Sequence, residues 1–321
     1  MPHVFLAVRA LVGLAVFSFL STSSYALDPN DKSASFGADN QCNIIFSKTK
    51  SSYFLSNVKA KMLLVEGNNA SLYSLVHNFN NLMPYSMWES LNGEVQGYVL
   101  RSGSGIDYNL DRNIYSPLSW HPTQIWDRIF DENIDFKSFS CVMTGRVRLA
   151  GYKATLIRLV PQDGLRYTYL IARDDDSLMP IELIILNPDG SLVSKITAIG
   201  YEKTDAKFPI DDEIINDNIA SRSIKKKDSV WKELNIPKAF KLQDFGKIII
   251  DSKGNESLYQ EFSDGITSFR VYKSPRMSLY VPAISHGSIS IYRQNKSNYE
   301  YAVVGEVSMN LCESVLSKLN L

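Results

Sequence analysis

Beyond the N-terminus the chain carries three histidines, His77, His121 and His286, and three cysteines, Cys42, Cys141 and Cys312. These side chains could ligate a metal or act as base and nucleophile. A metal site needs several such ligands at short, recurrent spacings. No histidine here stands with Glu, Asp or Cys at such a spacing, and there is no Cys-x-x-Cys pair. His77 alternates with Tyr73, Leu75 and Phe79, the period of a strand, so it reads as a wall residue. Asp174-Asp175-Asp176 lacks the glycine and closing glutamate of a calcium loop and reads as a turn. Gly103-Ser104-Gly105 lacks the third glycine of a dinucleotide fingerprint, and no G-x-S-x-G, H-E-x-x-H or P-loop is present. The expectation is a binding protein with no catalytic group, metal or cofactor.

The cysteines allow at most one internal bridge. A Cys42–Cys141 bridge would tie the start of the first domain to its middle. Free cysteine commonly behaves as a small buried apolar side chain. Three unpaired, buried cysteines are the preferred expectation.

The first 26 residues read as a cleavable signal peptide. Arg9 precedes an apolar run from Ala10 to Leu20, and Ser24-Tyr25-Ala26 fits the small-x-small cleavage pattern. The run is too short to span a bilayer comfortably. No cysteine follows it, so a lipoprotein anchor is not expected. The destination is the periplasm. Composition is 45% hydrophobic and 21% charged, which suits a globular chain, with 34 basic residues balancing 34 acidic. That balance argues against a nucleic-acid surface, which needs an excess of Lys and Arg.

The chain divides into a first domain over 27–202, a linker over 203–227 and a second domain over 228–321. Residues 27 to about 40 are small and polar and read as a loose leader. The clearest block is 141–201. Strands over Lys153–Val160, Arg166–Arg173, Ile181–Leu186 and Leu192–Ile199 are punctuated by Asp163-Gly164, Asp174–Ser177 and Asn187-Pro188-Asp189-Gly190. That is an antiparallel meander. Ile181–Leu186 is apolar on both faces, so both sides of the sheet should be covered there. Earlier strands are expected over 54–66, 71–79, 94–101 and 105–110. Thr123–Phe130 instead carries Ile125, Trp126, Ile129 and Phe130 on one helical stripe. A curved sheet with this helix plugging it would bury the stripe. The same four residues would then line or lid an apolar, lipid-binding pocket.

The linker combines Asp211-Asp212-Glu213 with Lys225-Lys226-Lys227 and has no periodicity. In the second domain, strands are expected over 257–262, 267–273, 287–293 and 300–307. A closing helix has Asn310 and Glu313 as its capping pair. Its stripe Leu311, Val315 and Leu319 would pack on the sheet and account for Cys312.

Gly145-Arg146-Val147-Arg148, Arg158-Leu159-Val160-Pro161-Gln162-Asp163-Gly164-Leu165-Arg166-Tyr167-Thr168-Tyr169, Leu178-Met179-Pro180 and Asn187-Pro188-Asp189-Gly190 occur in that order. Their succession resembles the MucB/RseB family. Trp231 to Phe240 resembles that family's Trp-x-x-Pro-x-Gly-Phe element, with Ala239 in place of glycine. Tyr259–Gly265 with Phe269 resembles its Tyr-Ser-Asp-Gly strand. The resemblance implies an α+β, mostly antiparallel β protein. Its first domain would be an open half-barrel of the lipoprotein-carrier type with a helix inside, followed by a smaller α+β domain. It implies a periplasmic regulator of the sigma-E envelope-stress response. Such a protein binds the periplasmic part of a membrane anti-sigma factor, shields it from site-1 proteolysis, and lets go when lipopolysaccharide or another acyl-chain ligand binds. Arg146, Arg158, Arg166, Tyr167, Tyr169, Trp231, Phe262 and Phe269 are the candidate partner-binding residues. Arg forks suit an acidic peptide or a lipid phosphate. A homo-oligomer is left open, and the alternative is a lipid or lipoprotein carrier with no anti-sigma partner.

Overall fold

The computed structural model describes residues 32–320 apart from 81–82, 102–103, 206–209, 211–213, 215–230, 232–233, 250–255 and 277–280. The expected signal peptide and most of the expected linker lie outside the described residues.

The chain opens with helix α1 (Lys32–Phe54), followed by strands β1 (Val58–Glu66), β2 (Asn69–Asn80), β3 (Met83–Ser90), β4 (Gln96–Arg101), β5 (Ser104–Asn109) and β6 (Ile114–Pro117). The short helix α2 (Gln124–Ile129) comes next. Then follow β7 (Phe139–Leu149), β8 (Tyr152–Pro161), β9 (Thr168–Asp174), β10 (Pro180–Leu186) and β11 (Leu192–Lys203). These eleven strands form one antiparallel sheet in the order β6-β5-β4-β3-β2-β1-β11-β10-β9-β8-β7. Pairing of β1 with β11 joins its two halves, and β6 and β7 are left as open edges. The sheet is therefore an open half-barrel rather than a closed one. Both helices lie inside it. Cys42, Phe46 and Tyr53 of α1 share one buried cluster with Ile125, Trp126 and Ile129 of α2 and with residues from both halves of the sheet, among them Met62, Trp88, Ile157 and Ile196.

The polar stretch read as a loose leader is thus corrected: α1 begins at Lys32. The cysteine expectation is also corrected. Cys42 on α1 and Cys141 on edge strand β7 form a disulfide, with Cα atoms 5.6 Å apart and 99 residues between them. Closing so long a loop in the unfolded chain is worth on the order of 4–5 kcal/mol in the chain-entropy model. Cys312 is free and buried in the second core, as its place on the helical stripe implied.

The second sheet contains β12 (Lys241–Ile249), β13 (Glu256–Ser263), β14 (Ser268–Pro275), β15 (Ala283–His286), β16 (Ile289–Lys296) and β17 (Tyr299–Gly305), in the order β12-β13-β14-β17-β16-β15. Helix α3 (Met309–Leu316) lays Leu311, Cys312, Val315 and Leu316 on it. Its N-cap is Ser308, whose hydroxyl accepts from the Leu311 N–H, and not Asn310. Of the expected linker, Ile210 is buried and Ile214 half-buried. Both pack on the outer face of β2–β5 against Val76, Tyr85, Val99 and Ile106.

Candidate functional site

Helix α2 sends its apolar residues into the core and its two charges in different directions. Ile125, Trp126, Ile129 and the following Phe130 are all 0% exposed. Trp126 meets Phe130 edge-on at 5.0 Å between ring centroids and Tyr53 at 6.3 Å. Between the apolar positions stand two charges. Asp127 accepts from the Tyr53 hydroxyl at 2.7 Å, the Ser86 hydroxyl at 2.6 Å and the Trp88 indole N–H at 2.7 Å. Burial nonetheless raises its pKa above the ordinary carboxylate value. Arg128 reaches the other way, forking onto the Glu306 carboxylate of the second domain at 2.7 and 2.6 Å.

Beside α2 opens a cleft of about 180 Å³. Tyr53, Phe54, Pro84, Leu100, Leu118 and Phe130 give it apolar walls, His77 lines it from β2, and Gln124, Asp127 and Arg128 line it from the polar edge of the helix. Of the four expected pocket residues only Phe130 lines it. Ile125, Trp126 and Ile129 are spent in the core. Sequence reasoning missed Asp127 and Arg128. The available signal was a charged pair set inside an apolar stripe too short to hide it.

His77 is the wall residue its alternation implied. Its ring packs on Tyr53 at 4.3 Å, and its Nδ1–H donates to the Ser56 carbonyl at 3.0 Å. Burial favours the neutral imidazole and lowers its pKa from 6.5 to about 4. As pH falls from 6.5 toward 4 the unfolded chain takes up this proton while the folded chain does not. Stability is therefore complete above about pH 6.5 and falls as pH drops toward 4, by about 3 kcal/mol in total from this residue. Urea titrations at pH 7 and pH 4 should show a pH-dependent loss larger by that amount in the native protein than in His77→Gln. Equal losses would mean that His77 is already protonated or exposed.

One Ser/His/Asp grouping exists among the described residues. Asp107 lies 2.8 Å and the Ser119 hydroxyl 3.3 Å from His121, but both approach the same Nε2. A hydrolytic relay needs one on each ring nitrogen. No group of three His, Cys, Asp or Glu residues that could hold a metal ion occurs among the described residues.

The expected partner-binding residues separate into two sets. Arg146 and Arg158 are exposed, on edge strand β7 and its neighbour β8. The others are buried or half-buried and form no open patch in this structure. Arg166 is 3% exposed and bonds to Asp163 at 2.6 Å, the Ser138 hydroxyl at 3.1 Å and Asp264 of the second domain at 3.1 Å, with its guanidinium 4.3 Å over the Phe139 ring. The Tyr167 hydroxyl donates to the Ser288 carbonyl of the second domain, and Tyr169 is buried in the first core. Phe262 and Phe269 stack at 5.4 Å inside the second core, and the half-buried Trp231 packs against that core.

Arg166 and Tyr167 tie the two sheets together. The β13–β14 turn is shaped by Asp264, whose Oδ1 accepts from the Ile266 and Thr267 N–H groups. Its other oxygen takes Arg166, and Ile266 enters the first domain's core, 1% exposed. Gly265 has φ +93°, and a Cβ there would come 2.9 Å from Ile134 Cδ1, so the turn needs glycine. Trypsin cleavage at Lys225-Lys226-Lys227 should therefore give two bands under denaturing conditions but one species on native gel filtration. Separation into two native fragments would show the interface to be too weak to hold them.

Among the described residues no helix is long and apolar enough to cross a membrane. The sigma-E factor regulatory protein RseB of Haemophilus influenzae is 21% identical over 284 residues, covering 85% of this chain and 90% of the relative. A crystal structure of MucB in complex with MucA(peri) superimposes with TM-score 0.61 at 17% identity, covering 85% of this chain and 96% of that one. The Pseudomonas aeruginosa MucA/MucB complex gives TM-score 0.61 at 16% identity, over 86% and 96%. At such identities the structural likeness is one of fold. The MucB/RseB N-terminal domain matches residues 49–222 and the MucB/RseB C-terminal domain residues 225–320. The half-barrel, the second sheet and the motifs that lock them are thus the two family domains in their family order, and this chain belongs to the MucB/RseB family.

Proposed function

We propose that this protein works in the periplasm by binding the periplasmic segment of a membrane anti-sigma factor and shielding it from site-1 proteolysis, and that lipopolysaccharide or a comparable amphiphile releases it. The observation that carries this reading is the two-domain frame. Over 85% of its length it follows the fold of MucB, which is seen in complex with MucA(peri). A carrier would need only the half-barrel.

A flexible segment pays an ordering cost on binding, so it requires an extended contact. The open edge of β7 offers one. Val142, Met143 and Val147 are exposed along it beside Arg146, with Arg158 directly opposite Val142 on β8. An extended peptide could add to this edge through main-chain hydrogen bonds. The apolar cleft beside α2 would take the acyl chain.

Calorimetry of the protein with its cognate anti-sigma segment should give micromolar or tighter binding, about −8 kcal/mol or stronger. Lipopolysaccharide should compete. Absence of both heat and fluorescence anisotropy change with folded protein would remove the regulator reading and favour the carrier.

A further inference from the structure

We propose that Arg128 is shared between the cleft and the domain interface, so that an amphiphile with a carboxylate or phosphate head entering the cleft loosens the second domain. The proposal rests on the reading of the cleft as an acyl-chain site and adds how occupancy is felt elsewhere.

Arg128 belongs to both places. Its side chain lines the cleft and keeps 26% of its surface exposed, while its fork holds Glu306, which is 2% exposed. The fork and the Nε bond to the Gln124 carbonyl at 3.3 Å engage three N–H groups of the five that a guanidinium carries. Two acids line the cleft beside Arg128, and each is already engaged. Asp127 is already surrounded by three donors, and Asp131 lies near Lys50, whose ammonium bonds the Asp131 carbonyl at 3.1 Å. An anionic head that takes the fork leaves Glu306 buried without its cation. A buried unpaired charge is strongly unfavourable, and water can relieve it only if the interface opens. Glu306 directly follows β17, and its N–H donates to the Ser268 carbonyl at the start of β14, at the base of the turn that carries Asp264 and Ile266. Hydrating Glu306 therefore pulls on the same turn that locks the domains. A neutral head has nothing to exchange for Glu306. Only a ligand that binds the two states unequally can shift them, and competition for one guanidinium supplies that difference.

The test compares dodecanoate, dodecyl phosphate and the non-ionic dodecyl maltoside, each below its micelle concentration, with inorganic phosphate as the chain-free control. Binding is read by calorimetry and interface opening by hydrogen exchange over residues 264–268 and 306–308. The expected result is binding of all three amphiphiles, with at least tenfold faster exchange for the anionic two alone. A response to dodecyl phosphate and not to dodecanoate would still support the exchange and assign it to phosphate heads. Binding of all three with equal or no acceleration overturns the proposal but leaves the cleft reading intact. Binding of none overturns both. Acceleration by inorganic phosphate alone overturns the amphiphile and makes Arg128 a simple anion site. Glu306→Gln keeps an acceptor but removes the competing charge, so it should bind dodecanoate about tenfold more tightly, and unchanged affinity overturns the proposal. Should that variant misfold, Arg128→Lys keeps the charge without the fork and must cut the preference for anionic heads several-fold. An unchanged preference likewise overturns it.

Discussion

Arg166→Ala should cost about 3–5 kcal/mol of unfolding free energy, measured by urea denaturation, while Arg158→Ala a short way along the same motif should stay within about 0.5 kcal/mol. Both arginines belong to the run that carries the family resemblance, and on sequence both looked like surface. Their environments differ completely. Arg158 is exposed on β8. Arg166 is 3% exposed and lies against Asp264, itself 2% exposed. Its removal strands that carboxylate, opens a gap over Phe139 and frees the Ser138 carbonyl, which Arg166 Nη2 holds at 3.1 Å. The Arg166→Ala/Asp264→Ala double variant should recover part of the loss, because no unpaired charge remains. If Arg166 were instead a contact for a partner, Arg166→Ala would keep its stability and lose only affinity. Finding that pattern would return Arg166 to the surface patch.

The strands of the 153–199 meander were legible because three aids coincide there. Apolar residues alternate, strand lengths are ordinary, and each turn is marked by Asp-Gly, an Asp run or Asn-Pro-Asp-Gly. Where an aid is missing, the element carries no clear local mark. β3 reads Met83-Pro84-Tyr85-Ser86-Met87-Trp88-Glu89-Ser90, with a proline early and no clean alternation, yet it supplies Ser86 and Trp88 to Asp127. Helix α1 was hidden by composition. Its buried positions Cys42, Phe46, Thr49 and Tyr53 recur at i, i+4, i+7 and i+11, a proper helical stripe. Two of the four are Cys and Thr, which do not read as core. The serines and asparagines around them are poor helix formers, so tertiary burial decides.

The site was legible in part for a related reason. The stripe of α2 announced that something must cover it, and the sheet does. Partnerships across the chain carry no local mark. Arg128 with Glu306, Arg166 with Asp264 and Cys42 with Cys141 are separated by 178, 98 and 99 residues. Exposed and buried arginines look alike in a single sequence, and only the fold tells them apart.

Trp126→Ala should cost about 3–5 kcal/mol, as large truncations in a packed core do. Trp126→Phe should be far milder, within about 1.5 kcal/mol, because it keeps an aromatic ring and gives up no hydrogen bond. The Trp126 indole N–H is buried with no hydrogen-bond partner. Trp88 makes the informative contrast. It is equally buried, but its N–H donates to Asp127 at 2.7 Å. Trp88→Phe therefore removes one of the three donors to the Asp127 carboxyl group, a change worth about 1.5–3 kcal/mol. The order Trp126→Phe, Trp88→Phe, Trp126→Ala in rising cost is what a core plug with a polar edge requires. A movable lid requires something else. Trp126→Ala would then fold almost normally and lose amphiphile affinity instead. Urea denaturation and calorimetry on the same preparation separate the two. A stable Trp126→Ala protein with weakened amphiphile binding would restore the lid, whereas a destabilised one whose folded fraction still binds would place the ligand in the cleft lined by Phe130, Leu100 and Leu118.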